Sequence, residues 1–348
     1  MIKNGWLFLT ALSFWLLEVP GFGQSPPTLS VQWSQSTPLP EPRSGYAAGI
    51  LNGKLIIAGG SYWEGTKGKW THKLYTTSTH AFDSTTERWE RLPDMPIALG
   101  YAASVVVGSR LYVLGGLTGG KQESRKVYVL EWKDSGYRWS KLADLPEPRL
   151  FAKAIRIGET IFLLGGVTQF EPYDPSGTCC TSKSATRDLM FLDTTHAQRG
   201  WQRLPSFPGR KRWLFCAETD GQSIWMIGGI DQQLMTDPTF EYDEVWRYDV
   251  SQKVWKLMTS LPLGTRRTTP LSSLMLEGRL LIFSFAKKVW ELNLKTLQFG
   301  EVSPLPEEVF VDQYFWVNGR IIGTGGENKL EGPRRRSEST FVGRFIDR

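Results

Sequence analysis

Three cysteines and three histidines among 348 residues leave little material for a metal centre. A structural zinc held by four thiolates, or a copper held by several imidazoles, needs more nitrogen and sulfur ligands than this chain offers, so no metal is expected. Long apolar runs are also lacking. A membrane-crossing helix takes about 20 apolar residues, and the longest run, Gly5 to Leu17, falls short of that. An excess of one charge is slight: 41 basic against 35 acidic side chains give a net +6. The sequence pI of ≈ 9.1 comes without a basic helix or an aromatic–basic RNA motif, so neither nucleic acid nor a membrane is an expected partner. What is abundant is aromatic and punctuating residues, 15 Trp, 18 Phe and 11 Tyr with 35 Gly and 20 Pro. Many short strands joined by tight turns suit that mixture, and an all-β fold follows.

The beginning of the chain reads as an export signal over residues 1–23: Lys3, the apolar run, then Gly21, Phe22 and Gly23 before Gln24. Residues 24–348 read as one domain, expected in the periplasm or secreted, and as a monomer.

A period runs through that domain. Apolar segments ending in a glycine pair recur at Gly59-Gly60, Gly115-Gly116, Gly165-Gly166, Gly228-Gly229 and Gly325-Gly326. The second glycines are 56, 50, 63 and 97 residues apart, and the last interval holds a sixth copy without glycines, Arg279 to Phe285. Ahead of each segment lies a second strand joined by a tight turn, such as Asn52-Gly53 or Asn318-Gly319, where both residues tolerate positive φ. A third strand follows, and in five copies a fourth carrying Trp89, Trp139, Trp201, Trp255 or Phe299, with Leu-Pro soon after. The sixth copy lacks its fourth strand, while Val31-Gln32-Trp33 with Leu39-Pro40 is a fourth strand without a copy. The two ends complement each other, which predicts a six-bladed β-propeller closed by the N-terminal strand, with no free sheet edge.

The glycine pair, an aromatic seven residues before Trp (Tyr248 and Trp255, Phe82 and Trp89) and the following Leu-Pro resemble kelch repeats over nearly the whole of residues 24–348. Strand order puts the loops after the second strand and the links between blades at one end of the ring. The long loops, 61–78, 117–126, 167–187, 230–243 and 327–339, and the link arginines Arg43, Arg149, Arg212, Arg266 and Arg267 therefore share a face, where function is expected. Arginines at a channel entrance suit a carboxylate or other anion. The same residues in a repeat also serve to tie blades together. Trp63 and Trp70, on the first long loop, suit either covering an apolar sugar face or packing that loop.

The stretch Gly325 to Glu338 places a carboxylate, Glu327, directly after the glycine pair and guanidiniums at Arg334, Arg335 and Arg336. It reads as acid–base equipment or as a solvated ion-paired loop. Glu327, Lys329, Arg336, Ser337, Glu338 and Phe341 resemble the Gly-Glu, Lys, Arg-Thr-Asp, Phe motif of the bacterial N-acetylneuraminate epimerases, exported kelch propellers that speed anomer interconversion of sialic acid. Here the loop is longer by a few residues and lies in the last blade, whereas the family's motif is internal. The resemblance implies Glu327 as catalytic base, Arg336 as its substrate-binding partner, a small acidic sugar or glycan as the ligand, and no cofactor. It leaves the second acid unassigned; Glu64 and Glu171 are candidates on the same face. The other reading is a non-catalytic propeller that binds a glycan or protein. Cys216 pairs with Cys179 or Cys180, or those two pair together, or all three remain thiols; spacing leaves these open.

Overall fold

The computed structural model describes residues 29–66, 69–169, 184–230, 241–262, 270–284, 287–307, 313–327 and 333–346. The signal-like segment, Glu171, Cys179, Cys180, Arg266, Arg267 and Lys329 lie outside the described residues. Six four-stranded antiparallel sheets form the blades of a β-propeller. Their first strands, Ala47–Leu51, Ala103–Val107, Lys153–Ile157, Cys216–Thr219, Pro270–Leu276 and Gln313–Val317, contact one another around the axis and line it. The turns between first and second strands behave as their residues demand: Asn52 and Gly53, and Asn318 and Gly319, all have positive φ.

Closure occurs as the complementary ends require. Ser30–Gln35 pairs antiparallel with Thr340–Ile346, putting Trp33 opposite Gly343 and Val31 opposite Phe345. Two further backbone bonds, Ser36 N–H to Thr340 O at 2.8 Å and Leu39 N–H to Glu338 O at 2.7 Å, continue the zip. Val31 and Trp33 pack with Leu274 and Phe283 of the adjoining blade and with Tyr314 of their own, so the closing strand is bonded on its edge and apolar on its face.

The recurring letters have identifiable jobs. Three of the glycine pairs end a second strand where the link to the next blade crosses: Gly60 N–H donates to Leu99 O, Gly116 N–H to Arg149 O and Gly326 N–H to Arg43 O, at 2.7–2.9 Å. The fourth-strand tryptophans reach back one blade. Nε1–H of Trp89, Trp139 and Trp255 donates to the carbonyls of Thr37, Pro93 and Pro205 at 3.1, 2.9 and 3.2 Å. Two of these acceptors, Pro93 and Pro205, are the prolines of Leu-Pro pairs. Replacing Trp139 by Phe keeps most of the ring and removes one such bond, so a loss of about 1 kcal/mol in urea unfolding is expected.

On the axis, polar side chains stitch neighbouring first strands. Ser104 Oγ accepts from Ala48 N–H and donates to Ala48 O, both at 2.9 Å. Ser272 Oγ accepts from Tyr314 N–H at 3.1 Å, and Gln313 Nε2 donates to Tyr46 O at 2.9 Å. No helix among the described residues is long and apolar enough to cross a membrane.

Candidate functional site

The long loop of the sixth blade leaves and returns through a narrow neck, where Ser337 N–H donates to Gly326 O at 3.0 Å. The residues just inside that neck are Glu327 and Arg336, which is why a carboxylate and a guanidinium nine positions apart meet. Glu327 Oε1 lies 3.2 Å from Arg336 Nη1 and 3.5 Å from Arg335 Nε. Arg336 is fully buried; its Nε donates to Ser61 O at 3.1 Å and its Nη1 to Arg335 O at 2.8 Å. Its Nη2 has no hydrogen-bond partner among the described residues. An unmatched buried cationic donor costs on the order of 1–3 kcal/mol or more, a cost that an acceptor brought by a ligand would offset.

The first long loop forms the adjoining wall. Ser61–Thr66 and Lys69–Tyr75 make a hairpin that packs on the short turn Pro333–Arg335. The Arg334 guanidinium lies 4.3 Å from the Tyr62 ring centre, and Arg335 lies 5.2 Å from that of Trp63. Lys73 approaches Trp63 at 6.0 Å and Tyr101 at 4.7 Å, within the range of cation–π attraction. Trp63 and Trp70 are half-buried, and neither indole Nε1 has a hydrogen-bond partner among the described residues. Ser61 Oγ and Tyr101 Oη are 3.0 Å apart, which joins the hairpin to the channel mouth. Glu64, by contrast, is exposed and lies 3.8 Å from His72.

The link arginines sit elsewhere. Arg43, Arg149 and Arg212 are at most 2 % exposed, and their guanidiniums turn into their own blades, toward the start of the third strand. Arg43 donates to Ser78 O at 2.8 Å and Gly59 O at 3.2 Å, with His80 Nδ1 at 2.9 Å from Nη2. Arg149 reaches Asp188 at 2.7 Å and Glu147 at 2.9 Å, and Arg212 reaches Glu244 at 2.6 Å. The channel entrance at this level is instead lined by Tyr46, Tyr101, Phe151, Leu214 and Phe215. Of the two readings open for these arginines, the geometry around the three described ones is that of ties within the blades. Burial lowers the Arg43 guanidinium to about 10, still cationic at neutral pH.

The repeat pattern points to the channel entrance but not to the groups on the channel's inner wall. A cavity of ≈ 420 Å³ follows the axis and touches the first strand of every blade. Glu218 lines it, accepting from Ser273 Oγ at 3.0 Å, and Lys153 lines it from the neighbouring blade. The register equivalents of Glu218 are Gly49, Val105, Ile155 and Phe315, so a single acidic residue in an otherwise apolar inner strand was the available signal. Burial pushes the Glu218 carboxyl up to about 7, with Ser273 and the Lys153 charge opposing it. Burial and the Arg43 charge push His80 down to about 4.

These two groups drive stability in opposite directions over one pH window. Folded His80 stays neutral where the unfolded residue takes a proton, so its contribution is full above pH 6.5 and lost as pH falls through 4. Folded Glu218 keeps a proton that the unfolded residue releases near 4.5, so its contribution is full below pH 4.5 and lost as pH rises through 7. Each amounts to about 3 kcal/mol on the ordinary conversion. Relative to the wild type, Glu218→Gln should therefore lose stability more steeply as pH drops from 6.5 to 4, and His80→Asn more steeply as it climbs from 4.5 to 7. Urea midpoints across pH 4 to 8 check both.

Among the described residues no group of three or more His, Cys, Asp or Glu side chains is placed to hold a metal ion.

Comparison with known proteins defines the class. Residues 80–284 match the family model described as the KLHDC2/KLHL20/DRC7 Kelch-repeats domain, and residues 42–96 match the Kelch motif. The chain belongs to the kelch-repeat family. It is similar to an N-acetylneuraminate epimerase of Vibrio cholerae serotype O1, 30 % identical over 137 residues, which is 38 % of this chain and 35 % of that protein. An N-acetylneuraminate epimerase of Yersinia enterocolitica is 31 % identical over 25 % of this chain and 23 % of its own length. N-acetylneuraminate epimerase 1 of Escherichia coli O6:H1 is 28 % identical over 28 % of this chain and 30 % of its own. The matched segments thus span about a third or less of these relatives.

Proposed function

We propose that this propeller is an exported mutarotase for an acidic sugar, of the N-acetylneuraminate type. The observation that carries the reading is the fully buried Arg336, with one guanidinium nitrogen unmatched among the described residues, beside the Glu327 carboxylate. The epimerase names of the relatives support the substrate class.

Mutarotation has modest requirements: a base for the anomeric hydroxyl proton, a proton for the ring oxygen as the ring opens, and room for the freed carbonyl to turn before reclosure. Glu327 takes the hydroxyl proton. Arg336 holds the sugar carboxylate through a charge-assisted hydrogen bond, and Arg335 adds a second positive charge. Trp63 and Tyr62 offer ring surfaces to the apolar face of the sugar. Proton return to the ring oxygen falls to the protonated Glu327 or to water. No cofactor takes part in this scheme.

The test is anomeric exchange of N-acetylneuraminate followed by NMR. Wild-type protein should accelerate exchange, and Glu327→Gln should lower the acceleration by about a hundredfold or more while leaving sugar binding within a fewfold. Arg336→Met should weaken binding. Binding without any acceleration by wild-type protein would make this a sugar-binding propeller, and full exchange by Glu327→Gln would exclude that residue as the base.

A further inference from the structure

Neither Glu327 nor Arg336 lines the axial cavity, which meets their cluster only at its mouth, through Tyr101 and Ser61. Its wall combines apolar and aromatic surface, from Phe151, Leu274, Phe315 and Trp316, with one carboxyl group and one ammonium group. A channel that served only to fill the ring would hold neither of the latter, because charged side chains on an inner strand cost desolvation free energy that an alanine or serine avoids. Lys153 stands where the register of other blades places Ala47, Ala103, Cys216 and Gln313, and Glu218 where it places apolar residues or glycine.

We propose that this cavity is a binding site for a small organic acid, one carboxylate on an uncharged body, with Lys153 as its counter-ion and the Glu218 carboxyl group as a hydrogen-bond donor to it. The groups around Glu218 fit that assignment. From the strand Lys153–Ile157 the facing charge is Lys153; from Pro270–Leu276 the facing groups are the hydroxyls of Ser272 and Ser273 and the Met275 N–H, of which Ser273 and Met275 already donate to Glu218. Among the described residues, the remaining titratable groups on the cavity wall are the phenols of Tyr46, Tyr101 and Tyr314. A carboxylate entering this wall draws the Lys153 charge to itself and puts a negative charge beside Glu218, and both effects favour the protonated carboxyl. Binding is therefore coupled to uptake of one proton by Glu218 from solvent, wherever that group is ionised in the empty channel.

Benzoate, a carboxylate on an apolar ring, is the probe. Titration at constant ionic strength, followed by NMR line shape or tryptophan fluorescence, should show affinity about tenfold weaker at pH 8 than at pH 6, because Glu218 loses its proton at about 7. Calorimetry in two buffers of different ionisation enthalpy should report about one proton taken up per benzoate at pH 8 and little at pH 6. Glu218→Gln, which keeps a donor of the same shape, should bind at both pH values as the wild type does at pH 6, without proton uptake. Lys153→Met should bind at least tenfold more weakly, as should benzamide with wild-type protein. Arg336→Met, expected to weaken sugar binding, should bind benzoate as the wild type does, because Arg336 does not line the cavity, and this separates the axial site from the proposed sugar site. No benzoate binding at pH 6, a pH-independent wild-type affinity, or proton uptake retained by Glu218→Gln would each overturn the assignment.

Discussion

Removing residues 29–36 should abolish the cooperative unfolding transition. The excised strand supplies six register pairs to Thr340–Ile346 and the apolar side chains that seal the fifth and sixth blades. Without it the sixth blade has three strands and an open edge, Tyr314 and Phe283 lose cover, and the exposed backbone of Phe341–Ile346 becomes a template for another chain. A shallow, probe-dependent denaturation profile and concentration-dependent association on size exclusion are expected, against a single steep transition for the intact ring. Adding a peptide of residues 29–36 in excess should restore much of the transition, since it carries the missing Val31 and Trp33, which pack with Leu274, Phe283 and Tyr314. A truncated chain that unfolds with the midpoint and slope of the full one would show that closure adds nothing. Because truncation can also impair folding outright, Gly343→Val supplies a milder form: a Cβ at Gly343 would lie 2.8 Å from the Trp33 ring and 2.9 Å from Val31 Cγ1. That variant should lower the midpoint without disordering the other five blades.

The second large effect is Gly115→Val. Gly115 has φ +72°, and a Cβ there would come 2.2 Å from Arg149 O and 3.1 Å from the Arg149 carbonyl carbon. Both obstructing atoms are backbone, so no side-chain rotation relieves the contact. The obstructed carbonyl is the one to which Gly116 N–H donates, so the link between the second and third blades must move and its bond must lengthen or break. A β-branched residue at positive φ adds strain of its own. A loss of more than about 4 kcal/mol is expected, near the limit of what a single substitution does in a protein of ordinary stability. Gly53→Ala is the internal control: its φ is +74°, yet nothing lies within 4 Å of the added Cβ, so only the conformational term of about 1 kcal/mol applies. Urea unfolding of the two variants side by side separates crowding from φ.

Much of this architecture was legible because it repeats. The glycine pairs recur where a link must cross at close range, the tryptophans where an indole N–H reaches the blade before it, and the unmatched strands at the two ends declare how the ring closes. The Glu327–Arg336 pair was legible as a motif, and its proximity follows from the neck at Gly326 and Ser337. The direction of the link arginines was not. Their partners lie at equivalent places near the third strands, but the residues there are Ser78, Asp188 and Glu244, so no common letter marks the tie. Glu218 and Lys153 escaped for the opposite reason: they break the repeat, and a period search passes over single departures, which is where chemistry specific to one blade resides.

The pairing of Ser30–Gln35 with Thr340–Ile346 also sets a timetable. On a ribosome the first strand to emerge is among the last to find its partner, and each of the five self-contained sheets can form before it does. Loop closure over so many residues is slow compared with the hairpins inside a sheet. The nascent protein therefore spends most of its synthesis as a growing arc with two bare ends, and association between arcs from different chains competes with closure of one arc upon itself.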